Sequence, residues 1–170
     1  RLAVVLLVVC ALALSTVLLM DDSRFPWFVL VPQRGGLTEV TDLDDHDAAA
    51  LMDEIRIATR VMLALARPDK VNVAALGNVV PQLHVHVVGR FLSDPAWPGP
   101  VWGQAGRAAY PAHAAAALVE RAAGMTHEAL QEQAPEILEA EGEQVGDRRI
   151  ELHGRQRQRL AGQLQIGLLQ

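Results

Sequence analysis

Gln82-Leu83-His84-Val85-His86-Val87-Val88 alternates without a break. Successive side chains of an extended chain point to opposite faces. Leu83, Val85 and Val87 therefore form one apolar row, and Gln82, His84, His86 and Val88 form the other. The apolar row predicts a floor for a packed layer. The second row predicts two imidazoles and an amide on an open sheet face. Immediately upstream, Val71 to Leu76 predicts a further strand that enters this segment through Gly77-Asn78. Before it, Leu51, Ile55, Ala58, Met62 and Leu65 recur at helical spacing, with Asp53, Glu54, Arg56 and Arg60 elsewhere on the wheel. Thr41 to Asp45 offers capping oxygens and negative charge for the helix start, and Arg67-Pro68-Asp69 stops it. Phe25 to Pro32 reads as an apolar strand bracketed by prolines, and Ser15 to Met20, closed by Asp21-Asp22, as the strand before it. The expected fold is α+β: an antiparallel sheet of about five strands, a long helix over 45–66 on one face, and the site on the other.

Residues 2–20 are almost wholly apolar and admit three readings. Nineteen residues of helix nearly span a bilayer. Arg1 ahead of an apolar run ending in Ala11-Leu12-Ala13 resembles a signal peptide. A buried strand is the third reading, and composition alone does not choose. Downstream, 93–103 is too rich in proline and glycine for regular structure, yet its Trp97 and Trp102 suit a loop that covers a site. Pro111 to Ala123 predicts an alanine-rich helix stopped by Gly124, and the glutamine-rich, charged stretch 127–170 a weakly packed helical or disordered tail. The expected organisation is thus an apolar segment over 1–13, a folded domain over 14–105, a helical extension over 106–126 and the tail.

Bulk properties exclude several functions. Fifteen basic against twenty acidic residues leave a net charge of −5, and no basic run occurs, so the chain is not built to neutralise a nucleic-acid backbone. A small nucleotide stays within reach, because a few backbone amides can hold one phosphate chain. The single cysteine, Cys10, rules out an internal disulfide framework and a cysteine-based zinc site, and suits a reducing compartment.

Two imidazoles on one face have three readings. They are a hydrogen-bonded pair, part of a metal site, or catalytic groups, since a neutral imidazole is both a nucleophile and a proton carrier. A metal needs further ligands, and His46, His113, His127 and His153 lack matching spacing, so no metal is expected.

Gly77-Asn78-Val79-Val80-Pro81-Gln82-Leu83-His84-Val85-His86-Val87-Val88-Gly89-Arg90 closely resembles the signature of the histidine-triad (HIT) hydrolases and nucleotidyl transferases, His-φ-His-φ-His-φ-φ after a glycine–polar pair. The likeness spans roughly 14–105, from Leu18-Leu19-Met20-Asp21 and Val29-Leu30-Val31-Pro32 to Trp97-Pro98. It implies that His84 attacks the α-phosphorus of a nucleotide, with a backbone carbonyl, that of Gln82, fixing its tautomer. It implies that His86 bonds phosphate oxygen and assists the leaving group. Amides around Gly77, Asn78 and Val79 would cradle phosphate, Asp21 would take the ribose hydroxyls, and Asn72 is a further ligand candidate. No cofactor is implied. The implied partners are a small nucleotide, with dinucleoside polyphosphates favoured over phosphoramidates, and a second copy in a homodimer. A non-catalytic nucleotide-binding protein is the remaining alternative. The expected location is cytoplasmic, with export or tethering through residues 2–20 as the alternative. Two positions depart from the pattern. Gln82 stands at the first triad position, where it can bond but not titrate, and Trp27 stands where the family often has a histidine. The uridylyltransferase branch carries its glutamine at the last position instead.

Overall fold

Short apolar runs at Leu6–Ala11 (β1), Ser15–Met20 (β2) and Trp27–Pro32 (β3) form three strands in the computed structural model, which describes residues 6–140 and the side chains of 6–132. The N-terminal apolar stretch is therefore a strand over Leu6–Ala11. It pairs with β2 through a bulge between Val8 and Cys10, so the sheet begins before residue 14. Among the described residues no helix is long and apolar enough to cross a membrane. Lys70–Ala74 (β4) and Val85–Arg90 (β5) complete the sheet, whose order is β1-β2-β3-β5-β4 with every pair antiparallel. The histidine strand thus lies inside the sheet, between β3 and β4.

The two faces of the sheet have different covers. Val17, Leu19, Phe28, Leu30, Val85 and Val87 pack against Leu51, Ile57, Ala58, Val61 and Met62 of the helix Asp45–Ala66 (α1). On the other face, Leu18, Trp27, Val29, Val31 and Val88 meet Phe25, Ala96 and Val101, the last two supplied by the proline-rich loop. Both rows of the central strands are covered, which explains why β3 is apolar at every position rather than at alternate ones.

Helix α1 starts where expected. Asp44 caps it by accepting from the Asp47 amide at 2.7 Å, and Asp45 and Asp47 place negative charge in the first turn. It ends at Arg67, whose φ of 50° turns the chain into the left-handed region before Pro68. Glu54 lies off the apolar stripe of the wheel, yet it does not face solvent. It is buried, and its Oε1 accepts from the amides of Leu14 (2.6 Å) and Ser15 (3.2 Å). A helix side chain thereby satisfies the turn between β1 and β2. Burial pushes the Glu54 carboxyl up, against those hydrogen bonds.

Gly124 does not stop the second helix, which runs over Ala112–Ala140 (α2). A lone glycine costs a helix only about 1 kcal/mol. Packing outweighs it: Ala122 and Thr126 are buried, and Leu118, Val119, Met125 and Leu130 lie against the core. The boundary expected at 126/127 falls inside this helix, and the remainder of the tail, 141–170, lies outside the described residues. A Cβ at Gly124 would meet nothing within 4 Å. Gly124→Ala is therefore expected to raise stability by roughly 0.5–1 kcal/mol in chemical denaturation.

Candidate active site

Strand β5 begins at Val85, later than the alternation suggested, because Gln82 to His84 lie beyond both ladders. Pro81 has no N–H to offer, and the Leu83 amide donates to the Leu37 carbonyl instead of to a neighbouring strand. The two-faced pattern nevertheless persists through this irregular stretch. Leu83 joins Val85 and Val87 in the helix-side core, while His84 and His86 line a cavity of about 470 Å³ on the opposite face.

Each imidazole has one ring nitrogen committed. His84 Nδ1 lies 2.7 Å from the Gln82 carbonyl oxygen. A carbonyl only accepts, so Nδ1 carries a hydrogen, and in the neutral ring the lone pair then lies on Nε2. His86 Nδ1 lies 3.0 Å from Trp27 Nε1. The rings of His84 and His86 meet edge to face at 4.9 Å, and Trp102 stands edge-on to His86 at 5.6 Å. His86 is only 7% exposed. Burial, reinforced by the neighbouring His84, pushes its pKa down to about 4.

That depression has a consequence for stability. Between pH 6.5, the ordinary imidazole value, and about 4, the unfolded chain binds a proton at His86 that the folded protein does not. Stability therefore falls as the pH is lowered through this window, by roughly 2 kcal/mol at pH 5. Thermal unfolding measured from pH 7 to 4.5 should show that loss in the parent and its removal in His86→Gln. Equal acid slopes in the two proteins would contradict a buried neutral His86.

The cavity wall unites some of the expected residues and leaves others apart. Gly77, Asn78 and Val79 face the histidines across it, with Gly77 at a φ of 68° that favours glycine. Trp27, Val101, Trp102, Gly103 and Gln104 close it from the side, so the proline-rich loop does cover the site. Gln82 is not part of the wall: its backbone carbonyl holds His84, and its Nε2 is buried without a hydrogen-bond partner among the described residues. Asp21 lies elsewhere: it accepts from the Tyr110 amide (2.8 Å) and Arg107 Nη1 (3.2 Å), beside a separate hollow against α2. Its neighbour Asp22 lines the histidine cavity, together with Arg24 and Arg107. Burial raises the Asp22 pKa, but hydrogen bonds from Arg24 and from the Arg24 and Ala108 amides outweigh it and hold the carboxyl below its ordinary value. Asn72 also lies off the wall, accepting from Arg90 Nη1 at 2.9 Å.

In the sequence, Trp102 stands out only as part of a covering loop, and Asp22, Arg24 and Arg107 are not singled out as site residues. The signal available for Asp22 and Arg24 is their setting in the turn after an apolar strand. Asp44, His46 and Asp47 form a cluster of possible metal ligands at the start of α1, but Asp44 caps the helix and Asp47 binds Arg34 at 2.6 and 2.9 Å.

A five-stranded antiparallel sheet that presents two tautomer-fixed histidines to a tryptophan-walled cavity defines a small α+β protein with an imidazole-based site. Residues 6–92 match the model of the HIT domain. Three solved structures are similar along most of their length. A histidine triad protein from Sinorhizobium meliloti is 38% identical (TM-score 0.67, covering 69% of this chain and 87% of that one). One from Bradyrhizobium japonicum is 39% identical (0.67, 72% and 89%), and one from Marinobacter aquaeolei 37% (0.70, 72% and 90%). No curated protein sequence matches the chain. The chain belongs to the HIT domain family. Proteins of this family are generally nucleotide-binding hydrolases or transferases, and some bind nucleotides only.

Proposed function

We propose that the protein hydrolyses a nucleotide at its α-phosphorus through a nucleotidyl-histidine on His84, with dinucleoside polyphosphates as the substrate class. The observation that carries this reading is the 2.7 Å contact from His84 Nδ1 to the Gln82 carbonyl, which in the neutral ring places the lone pair on Nε2 of a side chain that lines the cavity. A bond forms from Nε2 to phosphorus while the phosphorus–oxygen bond to the leaving group breaks. Water then displaces the imidazole, giving the nucleoside monophosphate and free His84. His86 offers a hydrogen bond to the departing oxygen. Gln82 acts through its carbonyl, where the triad pattern would have a third imidazole.

Amides of Gly77, Asn78 and Val79 are the candidates for meeting phosphate oxygens as charge grows on them. The ribose role expected of Asp21 is better supported for Asp22, which belongs to the cavity wall. The reaction as written uses no metal and no cofactor. By the same family resemblance the protein works as a homodimer, which sedimentation at twice the 18.4 kDa chain mass would support. A cytoplasmic location belongs to the same proposal, and the single cysteine suits it.

The substrate class is tested by assaying diadenosine tetraphosphate beside adenosine 5′-phosphoramidate. The reading predicts the larger kcat/KM for the tetraphosphate. A larger value for the phosphoramidate would assign the site to P–N bonds, and tight binding with no turnover of either would make the protein a binder.

A further inference from the structure

Between Trp27 and His86 runs a side-chain hydrogen bond of 3.0 Å that is fully buried and joins neighbouring strands. We infer that Trp27 is a positioning residue: its indole N–H holds His86 in the Nε2–H tautomer, so that His86 meets the substrate as a neutral donor. The inference rests on the catalytic reading above. Indole nitrogen donates and never accepts. His86 Nδ1 must therefore be the acceptor, and in a neutral ring the one hydrogen then belongs to Nε2. Protonating Nδ1 would set two N–H groups head to head, so the imidazolium form requires this bond to break.

The surroundings keep the arrangement rigid. Trp27 and His86 stand on β3 and β5, whose register pairs Trp27 with Val88 and Val29 with His86. Trp27 also meets the His86 ring edge to face at 5.4 Å and Trp102 at 5.8 Å. A tryptophan held from both sides cannot swing its N–H away. The charged or titratable groups on the same cavity wall are His84, Asp22, Arg24 and Arg107. Asp22 is occupied by Arg24, and Arg107 by Asp21, while His84 donates to Gln82. None of them supplies His86 with an anionic partner that would favour its charged form. Burial drives the ring the same way, toward neutrality.

This arrangement gives a role to the residue that departs from the family pattern. A histidine at position 27 titrates and can donate or accept. Tryptophan only donates, at every pH at which the protein is folded. His86 is then a hydrogen-bond donor whose strength does not change across the physiological range.

Nitrogen-15 NMR of the histidine rings in the whole protein, combined with pH–rate profiles, tests the inference. In the parent, His86 should show an unprotonated Nδ1 and a protonated Nε2, with no titration from pH 8 to 5. Trp27→Phe keeps the aromatic bulk and removes the donor. It should give mixed tautomers at His86 and a new acid-side inflection in kcat. It should also lower kcat roughly tenfold to a hundredfold, the cost of removing the partner that orients a metal-bound histidine, with KM changed by less. Trp27→His, which restores an N–H, should recover part of the rate. A parent His86 protonated at Nδ1 would overturn the inference, as would unchanged ring-nitrogen shifts in Trp27→Phe. If no nucleotide is turned over by any form, the catalytic reading falls, yet the parent spectrum still decides the tautomer.

Discussion

Replacing His84 with alanine is expected to lower turnover of diadenosine tetraphosphate by about 10⁴-fold or more, the range for deleting a covalent nucleophile. The expectation follows from the absence of a substitute. His86 is the other imidazole on the cavity wall, and its Nδ1 is engaged by Trp27. Its remaining nitrogen then carries a hydrogen and has no lone pair to give. Water attacking phosphorus directly would still enjoy the amides of the 77–79 turn, which sets a floor to the loss rather than complete silence. The variant should keep its fold, because His84 lies beyond the strand ladders and is only partly buried. Nucleotide binding, followed by calorimetry, should change by far less than the rate. A rate within tenfold of the parent would mean that the nucleophile lies elsewhere.

The largest effect on stability is expected at Arg90, which is 2% exposed. Its guanidinium donates to both oxygens of Asp94 (2.7 and 3.0 Å), to Asn72 Oδ1 (2.9 Å) and to the Gly99 carbonyl (2.9 Å). The Trp97 ring covers it at 5.7 Å. Arg90→Ala leaves Asp94 buried as an unpaired charge. Breaking such a pair costs roughly 3–5 kcal/mol. For a chain of this size that corresponds to a fall in Tm of roughly 6–20 °C. The damage should reach the site as well, because Asp94 also accepts from the amides of Phe91 and Ala96 and so shapes the loop that carries Val101, Trp102 and Gln104 to the cavity. Weaker nucleotide binding with an intact nucleophile is the expected kinetic result. A variant within 1 kcal/mol of the parent would show that the network is dispensable.

Much of this was legible in the sequence. The alternation at 82–88 put the histidines and the apolar row on the correct faces, although only Val85 onward is a ladder strand. Period-3.6 spacing with an Asp cap and a Pro stop located α1 to the residue. What escaped notice has physical causes. The apolar run before Ser15 is too uniform for periodicity to separate strand from helix, and only pairing with β2 decides it. Gly124 reads as a stop by local propensity, but burial of Ala122 and Thr126 carries the helix through it. Glu54 reads as a charge off the apolar stripe because its partners, the amides of Leu14 and Ser15, are brought to it only by the tertiary fold. Within Asp21-Asp22 the choice of the cavity-facing carboxylate depends on the twist of a turn, which no residue type announces. The tautomer of His86 needed the register of two strands, which sequence separation alone conceals.

The covalent intermediate on His84 gives the most direct test of the account. The protein is mixed with diadenosine tetraphosphate labelled in its α-phosphates, quenched in base during turnover, and digested for peptide mapping. The account predicts label on the peptide that contains Gln82 to Arg90, linked through a ring nitrogen of His84 and lost on acid treatment. Steady turnover with no label on the protein, or label on any residue other than His84, would contradict it.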